Sequence, residues 1–461
     1  MNLFIAPHPP IILKEIGRGE EKKAIQTING IKQIAEEIKR IKPKTIAVIT
    51  PHGNVFRDAL CVNMEEKLAG DFKKFNHPGL SYSFDNDIEK SGRFIESCMD
   101  RNILCLSLDK QAAKEYDISV DIDHGVLVPI HFIKEVYPTF KLVHISIGFL
   151  SKTELYEAGR ILGEIMDEDD VIIASGDLSH RLTKDAPSGY NKAGAVYDQY
   201  IVNTFKENHF INILDIDDEL VNQAGQCAQK PLELFIGVLE GYETKSSVFS
   251  YEGPFGVGYM TAHIKRGGKS KESTLAEYLK RKEITFTAMT ENEDEYISLA
   301  RNTIHQYIKN AIKIEVPDNL AQEMYKDKHG VFVSIKKDGE LRGCIGTILP
   351  AKKNIAEEII ENAISASTRD PRFNKIEENE LKDLKISVDI LFPPEDIDSK
   401  EMLDVKEYGV IVYKGFRKGL LLPNLEGIDD VDEQISIALR KANIRPDEDY
   451  KLQRFKVVRH S

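Results

Sequence analysis

Thr45-Ile46-Ala47-Val48-Ile49-Thr50-Pro51-His52-Gly53 is a continuous β-branched apolar run closed by Pro and Gly. That pattern predicts a strand buried on both faces, as in the middle of a parallel sheet. His52 falls just past its end, and open α/β sheets collect ligands outside the carboxyl ends of their strands. The same pattern returns twice: Leu3-Phe4-Ile5-Ala6 runs into Pro7-His8, and Val171-Ile172-Ile173-Ala174 runs into Ser175-Gly176-Asp177-Leu178-Ser179-His180. Three strands that each deliver a histidine would gather three imidazoles on one rim.

The rest of the N-terminal half fits this frame. Ile25, Ile28, Ile31, Ile34, Ile38 and Ile41 recur at the helical period and predict a helix over Glu20–Ile41. It leads into the Thr45 strand, so a βαβ unit and a parallel pairing are expected. Residues 54–120 predict short strands and one helix near Asp87–Asp100. Asp121-Ile122-Asp123-His124-Gly125 reads as a loop entering a helix from Val126 to Val136, and 140–147 as a buried strand. Ser151 with Glu154 is a capping-box pattern opening a helix to Met166. Helices through Tyr197 and over Asp217–Leu239 precede a glycine-rich loop, Tyr251-Glu252-Gly253-Pro254-Phe255-Gly256-Val257-Gly258-Tyr259, which runs into a closing strand.

The chain has 461 residues, enough for two or three domains. Gly267-Gly268-Lys269-Ser270-Lys271-Glu272-Ser273-Thr274 has linker composition. The division expected is therefore 1–266, a linker over 267–280, and 281–461. Beyond it the order of elements changes to α+β. A helix over about Glu293–Ala311 precedes two apolar runs joined by Asp338-Gly339, a hairpin signal. Then come a helix to about Thr368, a strand over Lys385–Leu391, a hairpin around Gly415–Gly419, a helix over Val431–Ala442 and a strand near Arg454–Val458. The fold class expected is α/β with a largely parallel or mixed central sheet, followed by an α+β domain.

A net charge of −13 argues against a nucleic-acid-binding surface. No apolar run reaches membrane-spanning length, and five cysteines without a CxxC pair suit a reducing compartment. A cytoplasmic location is expected, with neither nucleic acid nor membrane as partner.

Nine of the twelve histidines precede the linker. Neutral imidazole is a common ligand for Zn, Fe and Cu, and two histidines plus a carboxylate serve non-haem Fe(II) oxygenases. His8 and His52 are the leading ligand candidates, because each follows a strand end with a stiffening proline. His180 follows a longer loop and suits either a third ligand or a general base. Each alone has the plain alternative of a loop histidine making ordinary hydrogen bonds. His77, His144 and His209 read as structural, while pattern alone leaves His124 and His131 open.

Pro7-His8-Pro9-Pro10, Thr50-Pro51-His52-Gly53, Asp123-His124-Gly125 with Val128-Pro129, Ser175–His180 and Tyr251–Tyr259, in this order over residues 1–266, resemble the LigB-like family of class III extradiol ring-cleaving dioxygenases and their Memo-like relatives. Leu341-Arg342-Gly343-Cys344-Ile345-Gly346 and Arg369-Asp370-Pro371-Arg372-Phe373 resemble the AMMECR domain. The pair of domains resembles the fused form of the AmmeMemoRadiSam system A proteins, which implies other proteins of that system as partners. The resemblance makes His8 and His52 iron ligands, His180 the acid/base, and His124 a second catalytic residue lining the pocket. It implies Fe(II), with Zn(II) or another divalent metal as alternative, and a small catechol-like or oxygenated substrate. At the family's carboxylate position this chain has Gln226, in Ala224-Gly225-Gln226-Cys227. Gln226 is thus the expected, weaker third ligand, with Asp177, Glu233, Glu252 and the Cys227 thiol as alternatives. The functional alternatives are a metal-binding adaptor without ring cleavage and a Zn-dependent hydrolase. In the second half Arg342 and Cys344 invite a catalytic-cysteine reading against that of a small buried residue. Arg369, Asp370 and Arg372 form an anion site or pair with one another.

Overall fold

In the computed structural model, which describes residues 1–337, 339–425 and 428–461, Thr45–Thr50 is a strand with every residue buried. It runs parallel to Lys141–Ser146 on one side and Val171–Ser175 on the other, and Asn2–Ala6 lies parallel beyond Val171–Ser175. These four strands form the middle of a ten-stranded sheet. Tyr259–Lys269 pairs antiparallel with Asn2–Ala6 and carries Tyr242–Glu252 outside it. On the far side His77–Asn86 joins Lys141–Ser146 in parallel and forms a hairpin with Lys67–Phe72. The N-terminal sheet is mixed around a parallel centre, as its strand patterns imply.

Alternation along the central strands explains the layers. Leu3, Ile5, Ala47, Ile49, Ile172 and Ala174 belong to one core, beneath helices Lys152–Ile165, Lys192–Glu207 and Gln229–Gly237. Phe4, Ala6, Ile46, Val48, Val171 and Ile173 belong to the other, beneath helices Ile25–Ile41 and His124–Val136. Both faces are covered, which is why the strands read as unbroken apolar runs.

The capping box at Ser151 and Glu154 is present. The isoleucine-rich segment begins as a 3-10 turn, Glu20–Ala24, before the α-helix Ile25–Ile41. The single helix expected over Asp217–Leu239 is two, Asp218–Ala224 and Gln229–Gly237, because Gly225 ends the first in the left-handed conformation at φ 59°.

The chain divides into the units Met1–Arg281 and Lys282–Ser461. Residues 267–280, read as a linker, hold the end of the strand Tyr259–Lys269 and the first turns of a helix, Thr274–Glu291. The second unit is an antiparallel sheet, seven-stranded among the described residues. Gly330–Lys337 pairs with Glu340–Gly346 as the hairpin pattern predicts, while Asp338 of its turn lies outside the described residues. Helices Glu295–Asn310 and Ile355–Thr368 share one core with this part of the sheet, and Val431–Ala442 packs in another with Tyr408–Lys414. No helix among the described residues is long and apolar enough to cross a membrane.

Candidate metal centre

The parallel centre places Ala6, Thr50 and Ser175 at one edge of the sheet, and His8, His52 and His180 lie just beyond them. A ligand nitrogen from each of His8, His52 and His124 lies within 4.8 Å of the other two. The rings stand edge to face for His8 and His52, at 4.6 Å between centroids, and stacked for His52 and His124, also at 4.6 Å. His8 is buried, His124 partly buried and His52 exposed, so the cluster opens to solvent on the His52 side. Phe75 sets its ring against His124 at 5.2 Å, an apolar wall at that edge.

Hydrogen bonding fixes which nitrogen of His8 is free. Ser175 Oγ donates to Gly125 O at 2.5 Å, and it also lies 2.8 Å from His8 Nδ1. A hydroxyl has one proton, so toward His8 the serine oxygen accepts and Nδ1 carries the hydrogen. Nε2 is then left with its lone pair, the donor a metal ion requires. Burial, reinforced by repulsion from His52 and His180, holds the His8 imidazole well below its ordinary range despite nearby Asp123. Burial and the neighbouring rings likewise bring His124 down to about 3. Both rings are therefore neutral near pH 7.

Asp123 organises the other two. Its Oδ1 accepts from Gly125 N at 2.7 Å, capping the helix whose first residue is His124. The same oxygen takes the Thr50 hydroxyl at 2.7 Å, and Thr50 Oγ1 in turn accepts from His52 N at 3.2 Å. Asp123 Oδ2 lies 3.1 Å from His144 Nε2. These bonds hold the Asp123 carboxyl far below the usual carboxylate range against the effect of burial. Gly53 lets the His52 loop approach, since a Cβ there would stand 1.8 Å from Ser146 Oγ.

The expected ligand set changes in one respect. Gln226 Oε1 accepts from Gln229 N at 2.7 Å at the start of the helix Gln229–Gly237, so that amide oxygen is committed to a helix end. The third imidazole of the cluster is His124, expected with His180 among the catalytic residues lining the pocket rather than among the ligands. Among the alternatives, Glu252 accepts from Thr27 N and Oγ1, and Glu233 from the Gln229 side chain. Asp177 and Cys227 do touch the cluster. Asp177 Oδ1 accepts from His8 N at 2.9 Å and its Oδ2 lies 4.0 Å from His8 Nε2. Burial raises its carboxyl to about 6. Cys227 Sγ lies 3.6 Å from His8 Nε2 and 3.8 Å from His180 Nε2, and burial pushes the thiol well up. His180 is lowered by burial, with Asp177 opposing. His131 stands apart, bonded to Tyr82 Oη at 2.6 Å, and His144 is the structural partner of Asp123. Sequence spacing could not link Cys227 to His8, 219 residues away.

The neutral His124 ring makes a stability prediction. The unfolded chain takes up a proton near pH 6.5, whereas the folded ring resists it to about 3. The stability tied to the neutral ring is complete above 6.5 and is lost as pH falls toward 3. Metal-free wild type should therefore lose stability relative to His124→Gln by about 1.4 kcal/mol per pH unit below pH 6. Paired denaturation curves from pH 7.5 to 4.5 check this, and a constant difference would refute it.

In the second unit Arg342 bonds Glu380, Asn374 O and Lys375 O, Arg369 pairs with Glu361, and Asp370 pairs with Arg372 and accepts from Cys344 N. These charges pair within the protein.

Comparison with known proteins gives two family matches, one N-terminal and one C-terminal. Residues 2–262 match the family model of the catalytic LigB subunit of aromatic ring-opening dioxygenase, and residues 297–460 match AMMECR1. A Clostridium acetobutylicum protein is 42% identical over 463 aligned residues, spanning 100% of this chain and 98% of that one. A Thermotoga maritima protein is 48% identical over 170 residues, 36% of this chain and 98% of its own. Among solved structures, an uncharacterised Pyrococcus horikoshii protein is similar at 33% identity over 36% of this chain and 91% of its own, with a TM-score of 0.34. An uncharacterised Escherichia coli K12 protein is similar at 17% identity over 57% of this chain and 99% of its own, with a TM-score of 0.40. The chain thus belongs to the LigB family, in a form that carries an AMMECR1 domain after its LigB domain.

Proposed function

We propose that the N-terminal unit holds Fe(II) on His8, His52 and His124 and acts as an oxidoreductase of the ring-opening dioxygenase type on a small catechol-like substrate. The observation that carries this reading is the convergence of three ligand nitrogens within 4.8 Å at the sheet rim. Neutral imidazoles suit Fe, Zn and Cu alike; likeness to a ring-opening dioxygenase family, whose reaction needs a centre that handles dioxygen, supports iron among them. When bound, such an ion supplies Lewis acidity that lowers a phenolic pKa and a redox centre for dioxygen. His180 then serves as proton acceptor: it stands beside Cys227 at the edge of the cluster, and burial keeps it neutral, the state a base requires. Phe75 and the His124 ring offer an apolar face to an aromatic substrate.

The test is anaerobic reconstitution of the full chain with Fe(II), followed by oxygen uptake over a panel of catechols. Uptake should match formation of ring-opened product and fall about 100-fold or more in His180→Gln, with iron content unchanged. Full iron loading without oxygen uptake from any catechol would sink the proposal.

One observation favours a second reading. A thiol 3.6 Å from His8 Nε2 gives the cluster a soft donor, which suits Zn(II) or Cu(I) and a metal-binding role without ring cleavage. Preferential retention of either metal, lost in Cys227→Ser, would support that alternative.

A further inference from the structure

The glycine-rich stretch Tyr251–Tyr259 and the buried Asp198 have no role in the site as described so far. Asp198 lies on the helix Lys192–Glu207 and is completely buried. Its Oδ1 accepts from Ser179 N at 2.8 Å and its Oδ2 from the Tyr251 hydroxyl at 2.7 Å. Both donors are neutral, and among the described residues Asp198 makes no ion pair. A buried carboxylate without a cation costs stability that an apolar residue would not. Burial accordingly raises its carboxyl to about 7, against the pull of the two hydrogen bonds.

The residue between these groups is Gly258. A Cβ there would stand 1.9 Å from Asp198 Oδ2, so only glycine admits the carboxylate. Gly258 also grips the loop through its backbone, accepting from Leu178 N and donating to Ser179 O, each at 2.8 Å. Ser179 Oγ donates to Ala224 O at 2.8 Å. Ser179 is thus held through its N–H, its carbonyl and its hydroxyl. Its neighbours in sequence are Leu178 and His180, with Asp177 one residue further.

We infer that Asp198, with Tyr251 and Gly258, is a latch that positions Asp177 and His180 against the histidine cluster. Asp198 touches no reacting group; it acts through Ser179 as a positioning residue. The inference rests on the reading of His180 as the base, but the latch can be measured without turnover.

In the full chain, amide hydrogen exchange over residues 176–182 should rise about tenfold in Asp198→Ala. Val171–Ser175 and Lys192–Glu207 should exchange as in wild type. Asp198→Asn keeps an acceptor for Ser179 N–H and should restore protection. Catechol-dependent kcat should follow the same order, with Fe(II) affinity retained. If Asp198→Ala does not fold, Tyr251→Phe serves instead and should speed exchange over 176–182 about fivefold. Unchanged exchange there, or an equal rise across the strand and helix, would overturn the latch. Absence of ring cleavage in wild type would overturn only the catalytic reading, and the exchange comparison would still decide the latch.

Discussion

Replacing His8 and His52 together by alanine should abolish metal binding while leaving the N-terminal unit folded. Two of three clustered imidazoles disappear, and the ring that remains, His124, cannot hold an ion with useful affinity. Even a partner that only orients a ligand is worth about 10–100-fold in affinity, so losing two ligands should cost at least about 1000-fold. Both residues lie past the ends of their strands, outside the two apolar cores. His52 is exposed, and His8 gives up the contact of Nδ1 with Ser175. Competition for Fe(II) or Zn(II) against a chromophoric chelator, with melting followed in parallel, reads both effects. Full metal stoichiometry in the double variant would place the metal elsewhere.

Asp123→Ala should produce the largest loss of stability of any single substitution at the site. Three contacts converge on that carboxylate: the Gly125 N–H, the Thr50 hydroxyl and His144 Nε2. Removing it leaves these groups without their acceptor in a setting where the Asp123 side chain is only 9% exposed. Breaking such a partnership costs about 3–5 kcal/mol. A melting temperature lower by on the order of 10 °C is expected. Metal affinity should fall with it, because the cap that starts the His124 helix and the Thr50 link to His52 are lost together. Asp123→Asn should fall between, since one oxygen still caps the helix while its amide N–H₂ faces His144. A variant that melts like wild type would show that this network does not organise the site.

The rim was legible in the sequence because a strand buried on both faces leaves a strong signal and ends abruptly at Pro or Gly. His8, His52 and His180 could be placed by that signal alone. His124 could be seen at a helix start, but not in the cluster. What brings it there is the Asp123 carboxylate at the helix start, which reaches across to Thr50 at the end of a central strand. Gln226 shows the reverse case. Its side chain was expected at the metal because it stands at the family's carboxylate position, and nothing in the sequence shows what else it bonds. Once Gly225 ends one helix and Gln229 begins the next, the amide has a nearer donor. The contact of Cys227 with His8, and the latch at Asp198, join residues far apart in the chain and leave no periodicity to read. The helix Thr274–Glu291 was hidden for another reason: Gly, Ser and Lys at its approach mimic a linker, and few of its residues are buried.

The first strand has a consequence for how the site is made. Asn2–Ala6 pairs with Val171–Ser175 and Tyr259–Lys269. During synthesis it is made well over a hundred residues before either neighbour exists. Such long-range pairing is intrinsically slow. An ion that meets the growing chain early finds His8 not yet held beside His52 and His124. Only when the last strands have closed beside the first does His8 come into place, so loading of the centre belongs to the end of folding.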